Sequence, residues 1–117
     1  MKKTNYKWNI FLANLNPVKG SEQRGTRPVL IISDEDFNQA MPVITVLPIT
    51  SLKPGRRAYP NEVLLPKGTA GLPHDSLVLA HQLRTISKDR LYKVLGGIKE
   101  TNLMEEINNA LKVHLNL

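Results

Sequence analysis

RPVLIIS, from Arg27 to Ser33, is the stretch that decides how this chain is read. It is an unbroken apolar run rich in β-branched residues and too short for a core helix, so it predicts a strand covered on both faces. Upstream, Asn16 to Thr26 is punctuated by Pro17, Gly20 and Gly25 and reads as a loop. Before it, Lys7 to Leu15 reads as another strand. Trp8, Ile10 and Leu12 fall on one face and Phe11, Ala13 and Leu15 on the other, so this strand too expects cover on both sides.

Downstream, residues 34–42 are polar with room for a helical turn, and Val43 to Thr50 (VITVLPIT) is a third strand in which Pro48 predicts a bulge or an edge. SLKPGRRAYP, Ser51 to Pro60, is a loop turning at Pro54-Gly55, and Asn61 to Leu65 is a fourth strand. Asp75 to Ile86 (DSLVLAHQLRTI) reads as one long strand, with Leu77, Leu79, His81 and Leu83 on one face and Gln82 and Arg84 on the other. Ser87 is placed to cap a short helix through Lys93, stopped by Gly96-Gly97. Asn102 to Leu117 reads as an amphipathic helix with Thr101 as cap and Leu103, Ile107, Ala110, Leu111 and His114 near one face. Five short strands and a terminal helix predict a mainly β fold, a small bent sheet or barrel.

The length of 117 residues predicts a single domain over residues 1–117, and 41% hydrophobic residues suit a folded core. No apolar run approaches the roughly 20 residues of a membrane-spanning helix, and the N-terminus lacks a signal-like apolar stretch. The default expectation is a cytoplasmic protein. The absence of cysteine excludes disulfides and thiolate metal sites. Sixteen Lys and Arg against ten Asp and Glu leave a net charge of +6, which favours polyanionic partners. The cations are grouped: Lys2, Lys3, Lys7, Lys19, Arg24 and Arg27 in the first thirty residues, then Lys53, Arg56 and Arg57, then Arg84, Lys88, Arg90 and Lys93. Acids gather at Asp34-Glu35-Asp36 and in the last twenty residues, a segregation that hints at one basic face.

Three places can carry chemistry. In Gly20-Ser21-Glu22-Gln23-Arg24-Gly25-Thr26-Arg27, glycines let backbone N–H groups approach a phosphate, and Arg27 at the loop-to-strand junction has a fixed base and a guanidinium able to grip two phosphate oxygens. Taken alone, such a loop is equally a turn with a surface Arg. Thr50, closing the third strand, offers a hydroxyl donor or an ordinary turn residue. Gln82 and Arg84, two apart, can read an unstacked base and hold its phosphate, or simply form a solvated strand face. His74, His81 and His114 have no metal-ligand spacing, and no phosphate-binding loop, dinucleotide fingerprint or nucleophile elbow is present. His81 reads as a half-buried strand residue and His74 as a turn residue available as a base.

The runs NPVKGSEQRGTRPVLIIS (Asn16 to Ser33), VLPITS (Val46 to Ser51) and GLPHDSLVLAHQLRTISKDRL (Gly71 to Leu91) resemble, in order, the motifs of MazF/PemK toxins, and LMEEINNALKVHLNL is similar to the terminal helix of that family. The resemblance implies an SH3-like barrel with helices, a homodimer, and sequence-selective cleavage of single-stranded RNA, usually mRNA, without a metal or other cofactor. It also implies an antitoxin partner whose acidic tail covers the RNA groove. The family's catalytic Arg falls on Arg27 and its catalytic Thr on Thr50. Ser21 and Glu22 match its loop, and Gln82 and Arg84 its strand near RNA.

Gln23, Arg24, Lys53, Arg56 and Arg57 are expected as further RNA contacts. Glu22 is the expected general base, with His74 as the alternative. Trp8-Asn9 stands where family members often carry Gly-Asp, so an orienting role for that Asp would pass to an uncharged Asn9. The competing readings are a non-enzymatic toxin of the same fold that binds a protein such as gyrase, and a nucleic-acid-binding repressor subunit.

Overall fold

In a computed structural model, which describes residues 3–117, the chain forms seven strands and two helices. Lys2, one of the N-terminal cations, lies outside the described residues. The strands are β1 (Asn9–Asn14), β2 (Thr26–Ile31), β3 (Val43–Ser51), β4 (Glu62–Leu65), β5 (Ser76–Leu79), β6 (Arg84–Ser87) and β7 (Leu91–Gly97); the helices are α1 (Glu35–Ala40) and α2 (Thr101–Leu115). The antiparallel sheet runs β4-β5-β3-β2-β1-β7, and β6 also pairs with β3. β3 is the spine: Val43–Val46 pair with β6, Ile49–Ser51 with β5, and Val46–Pro48 with β2. The end strands β4 and β7 are not paired with each other, so the expected barrel is mainly β with a terminal helix, as anticipated, but open.

Both faces of the sheet are covered, as the pattern of β1 and β2 requires. Ile10, Leu30, Leu47 and Ile49 pack beneath α2 with Leu103, Ile107 and Ala110. Phe11, Ala13, Leu15, Val29 and Ile31 form a second cluster on the opposite face with Ile44, Val46 and Ile86. α1 is short, and Asp34 caps it by accepting from the Asp36 N–H.

Several sequence expectations are corrected. Asp75 to Ile86 is not one strand: a 3₁₀ turn over Ala80–Gln82 breaks it into β5 and β6, and β3 receives the two pieces at different stretches. Strict alternation therefore ends at Leu79, and Gln82 and Arg84 do not share a strand face. Buried Pro48 is at neither an edge nor a bulge. It faces Val29 on one side and on the other falls in the gap between the β6 and β5 pairings, where the ladder is already interrupted.

The helix expected from Ser87 shrinks to a 3₁₀ turn over Lys88–Arg90, with Ser87 accepting from the Asp89 N–H. Leu91 onward is strand, because the free edge of β1 needs a partner. Gly96 lies within β7 and does not stop a helix; a Cβ there would come within 2.8 Å of the Ala70 backbone, so glycine permits a close backbone crossing. In α2, Thr101 is the first helical residue, and Glu100 precedes it without a side-chain capping bond.

Candidate active site

Strand register is what brings the first pair together. β2 and β3 are antiparallel, with Leu30 opposite Leu47 and Val29 opposite Pro48. Continued two residues further, the same register sets Arg27 opposite Thr50. Both line one cavity of about 310 Å³, whose other walls include Arg24, Pro73 and His74. Arg27 is half-buried; its Nε donates to the Arg24 carbonyl at 2.7 Å, which fixes the guanidinium plane. Among the described residues its two terminal nitrogens have no protein partner, so an anion can receive both. His74 is held at the rim by its own turn, in which Ser76 Oγ donates to the His74 carbonyl at 2.8 Å.

A second cavity, of about 750 Å³, shares Thr50 and Ser51 with the first and extends past Gln23, Lys53, Tyr59 and His81 over the buried Leu77 and Leu79. A third, of about 400 Å³, adjoins it at Gln23, His81 and Gln82 and includes Ser21, Glu22 and Arg84. Through these shared residues the three cavities adjoin one another as one groove.

The Asn16–Gly25 loop that walls the groove is pinned rather than loose. Gly20 (φ 54°) and Gly25 (φ 77°) take left-handed backbone that side chains disfavour. Leu15 N–H donates to the Gly25 carbonyl at 3.0 Å, and Gly25 N–H to Asn16 Oδ1 at 3.1 Å. The Glu22 carboxylate accepts from the Lys19 N–H within the loop and lines the third cavity. It is not among the residues around Arg27 and Thr50; His74 is.

Gln82 and Arg84 serve this loop too. Gln82 Oε1 accepts from the Gln23 N–H at 2.8 Å, its Nε2 donates to the Ser21 carbonyl at 3.4 Å, and Arg84 donates to the Leu15 carbonyl at 3.1 Å. Arg90 donates to the Asn14 carbonyl at 3.1 Å and to the Asn16 carbonyl. Asn9 does not reach the loop: its amide donates to the Asn5 carbonyl at 2.9 Å.

The expected cations also divide. Lys53 and Arg57 stand exposed on the loop after β3, and Arg24 is exposed although its guanidinium donates to the Gly20 carbonyl. Arg56 is committed: its two terminal nitrogens meet the Glu62 carboxylate at 3.0 and 2.7 Å, with its guanidinium over the Tyr59 ring.

Glu62 was not singled out from the sequence, yet it is a buried charge in β4. Its carboxylate also accepts from the Tyr59 N–H at 3.0 Å and meets His81 Nε2 at 3.0 Å. Burial works against its ionisation, but Arg56, the Tyr59 N–H and His81 outweigh it and bring the carboxyl to about 2. The available signal was an acid at the head of the apolar run EVLL, where a strand register turns inward. Among the described residues, no group of three or more acidic or His side chains is arranged to hold a metal ion.

Comparison with known proteins shows the family and the fold. Residues 6–115 match the family model described as PemK-like, MazF-like toxin of type II toxin-antitoxin system. The chain is 38% identical over 109 residues to the endoribonuclease MazF of Staphylococcus saprophyticus, covering 93% of this chain and 89% of that one. It superposes on the crystal structure of MazF from Deinococcus radiodurans with a TM-score of 0.81 at 26% identity, over 99% of this chain and 100% of that one. It also shares the fold of a mycobacterial endoribonuclease solved in complex with its cognate antitoxin, with a TM-score of 0.79 at 24% identity over 97% of each chain.

Proposed function

The chain belongs to the PemK-like, MazF-like toxin family, and from that premise we propose that it cuts single-stranded mRNA where Arg27 and Thr50 meet. It is an endoribonuclease of a toxin–antitoxin module. The observation that carries the placement of the cut is the shared cavity: a guanidinium with two uncommitted nitrogens and a threonine, from adjacent strands, line one space of about 310 Å³.

The ribose 2′-oxygen attacks the neighbouring phosphorus in line, and the bond from phosphorus to the 5′-oxygen breaks. The products are a 2′,3′-cyclic phosphate and a 5′-hydroxyl. Negative charge grows on the phosphoryl oxygens in the transition state. Arg27 and Thr50 stabilise it without reorganising, because Arg24 and the β3 backbone hold them in advance. The proton leaving the 2′-hydroxyl passes to His74, the one imidazole among the residues lining this cavity. Water or Arg27 protonates the departing 5′-oxygen. Glu22, the base expected from sequence, acts here by shaping the loop and the adjoining groove, with Ser21, Gln82 and Arg84 setting its geometry. Arg24, Lys53 and Arg57 provide exposed phosphate contacts.

We read residues 1–117 as one toxin domain that works in the cytoplasm, pairs as a homodimer, and is silenced by a cognate antitoxin whose acidic tail occupies the basic groove. No described helix is long and apolar enough to cross a membrane. The test is to incubate the purified protein with mixed RNA, with and without a chelator, and read both ends of the fragments. Cyclic phosphate and 5′-hydroxyl ends, formed with chelator present and absent with Arg27→Ala or Thr50→Ala, are expected. Intact RNA with retained toxicity would favour the protein-binding alternative instead.

A further inference from the structure

One peptide group, that joining Arg24 to Gly25, aims the Arg27 guanidinium, and we infer that Asn16, which lines none of the three cavities, holds that peptide and is a positioning residue for the cut. This rests on the reading of Arg27 as a catalytic residue and adds what sets its geometry. The carbonyl of the Arg24–Gly25 peptide accepts from Arg27 Nε at 2.7 Å, and the N–H of the same peptide donates to Asn16 Oδ1 at 3.1 Å. The peptide is trans, so these two polar groups lie in one plane and point in opposite directions. Asn16 on one side and Arg27 on the other therefore grip a single rigid plate, and turning the plate breaks both bonds together.

The plate needs such a hold. Gly25 takes φ 77°, which glycine adopts at little cost, and a Cβ built there would meet nothing within 4 Å, so packing on that side does not set the peptide plane. The Arg24 side chain does not set it either, since its guanidinium donates to the Gly20 carbonyl.

Asn16 is itself fixed. Its N–H donates to Asn14 Oδ1 at 3.0 Å, its carbonyl accepts from Arg90, and the N–H of the preceding Leu15 donates to the Gly25 carbonyl at 3.0 Å. The order of the strand β1 end thus passes through the Asn16 amide to the Arg24–Gly25 peptide, and from its carbonyl to Arg27. The Asn16 bond also acts electronically: a peptide whose N–H is hydrogen-bonded is a stronger acceptor at its carbonyl, and the donor it receives here is charged. With Nε so engaged, the planar fork leaves Nη1 and Nη2 as the pair for an anion.

The experiment compares single-turnover cleavage of a short single-stranded RNA by the unmodified protein, Asn16→Ala, Asn16→Asp, Arg27→Ala and the double variant, and reads solvent exchange of the Arg27 Nε–H by ¹⁵N NMR in RNA-free protein. Asn16→Ala is expected to slow the cleavage step about tenfold, a misplacement cost, with RNA affinity little changed. Asn16→Asp keeps an acceptor oxygen and should recover most of the rate. With Arg27 already replaced by Ala, Asn16→Ala should cost nothing further, because no guanidinium is left to position. The Nε–H should exchange faster in Asn16→Ala than in the unmodified protein and in Asn16→Asp.

An unchanged cleavage rate or unchanged Nε–H exchange in Asn16→Ala would overturn the assignment. So would an equal penalty with and without Arg27, which would make Asn16 a support for the loop as a whole. Gly25→Ala strains the same peptide without a clash, so it carries the same cycle if Asn16→Ala does not fold. The exchange signal needs no RNA: absence of cutting by the unmodified protein would overturn the ribonuclease reading, while the hold of Asn16 on Arg27 is still decided by that signal.

Discussion

Arg27 and Arg56 carry the same guanidinium and meet opposite fates. Arg27 gives only its Nε to the protein and keeps two nitrogens for an anion, whereas Arg56 closes both on Glu62. Arg27→Ala should therefore lower kcat/KM about a hundredfold or more, the usual loss of a transition-state donor, with the melting temperature little changed; Thr50→Ala should act in the same direction. Steady-state cleavage of a short RNA, with a thermal melt alongside, checks both. His74→Gln should lower kcat more than Glu22→Gln does in the same assay.

Glu62 belongs to stability. Its carboxyl titrates at about 2 in the folded protein, below its ordinary 4.5, so its contribution is complete above about 4.5, declines as the pH falls and is gone below about 2. Glu35 is lowered as well: burial opposes this, but the Lys7 and Tyr6 N–H groups and the Gln39 and Asn38 amides prevail. Comparing urea midpoints of the native protein and Glu62→Gln across pH 2 to 6 isolates the Glu62 share, and the variant should show the shallower acid-side loss. Arg27 and Thr50 were singled out through the family resemblance, and the structure brings the two to one cavity. Glu62 was not, since an acid in a strand becomes informative only when its register is known to point inward. Trp8 illustrates the same limit: its left-handed backbone (φ 67°), unusual for a bulky residue, is visible only in three dimensions.

At the level of elements, continuous apolar runs were readable and interrupted ones were not. RPVLIIS and VITVLPIT form β2 and β3 because β-branched residues buried on both faces admit little else. DSLVLAHQLRTI fails as one strand because β3 offers its two halves different partners, and the 3₁₀ turn between them has no signal of its own beyond Gln82 facing the loop. That break sets Gln82 and Arg84 where they fasten the Asn16–Gly25 loop. Arg84→Ala should free the Leu15 carbonyl and loosen the loop, raising KM more than it lowers kcat; a fall in kcat with KM unchanged would contradict this. The terminal helix was readable from its period, with Leu103, Ile107 and Ala110 buried as expected, although His114 is exposed on it. Ile107 is fully buried beneath the sheet, so Ile107→Ala should cost about 2–5 kcal/mol, seen as a lower urea midpoint at constant m-value.

Over the whole molecule, the net charge of +6 does not say which cations RNA meets. Arg56 is paired with Glu62, and Arg84 and Arg90, unlike the exposed Arg24, are half-buried where they donate to backbone carbonyls at the base of the loop. Arg24, Arg27, Lys53 and Arg57 remain as cations in or beside the groove that can exchange counterions for phosphates. For single strands each such contact contributes about −0.7 to the slope of log affinity against log salt, so four contacts give about −3 per groove. Fluorescence-detected binding of a non-cleavable RNA analogue between about 50 and 200 mM salt measures this directly, on a scale where counterion release dominates affinity. Neutralising Lys53 and Arg57 together as Gln should flatten the slope by about 1.4 while leaving its residual set by Arg24 and Arg27. A slope much steeper than that of four contacts would mean that the guanidinium groups now bonded to the protein are released when RNA binds. Binding would then be coupled to opening of the Asn16–Gly25 loop rather than to docking on a groove already formed.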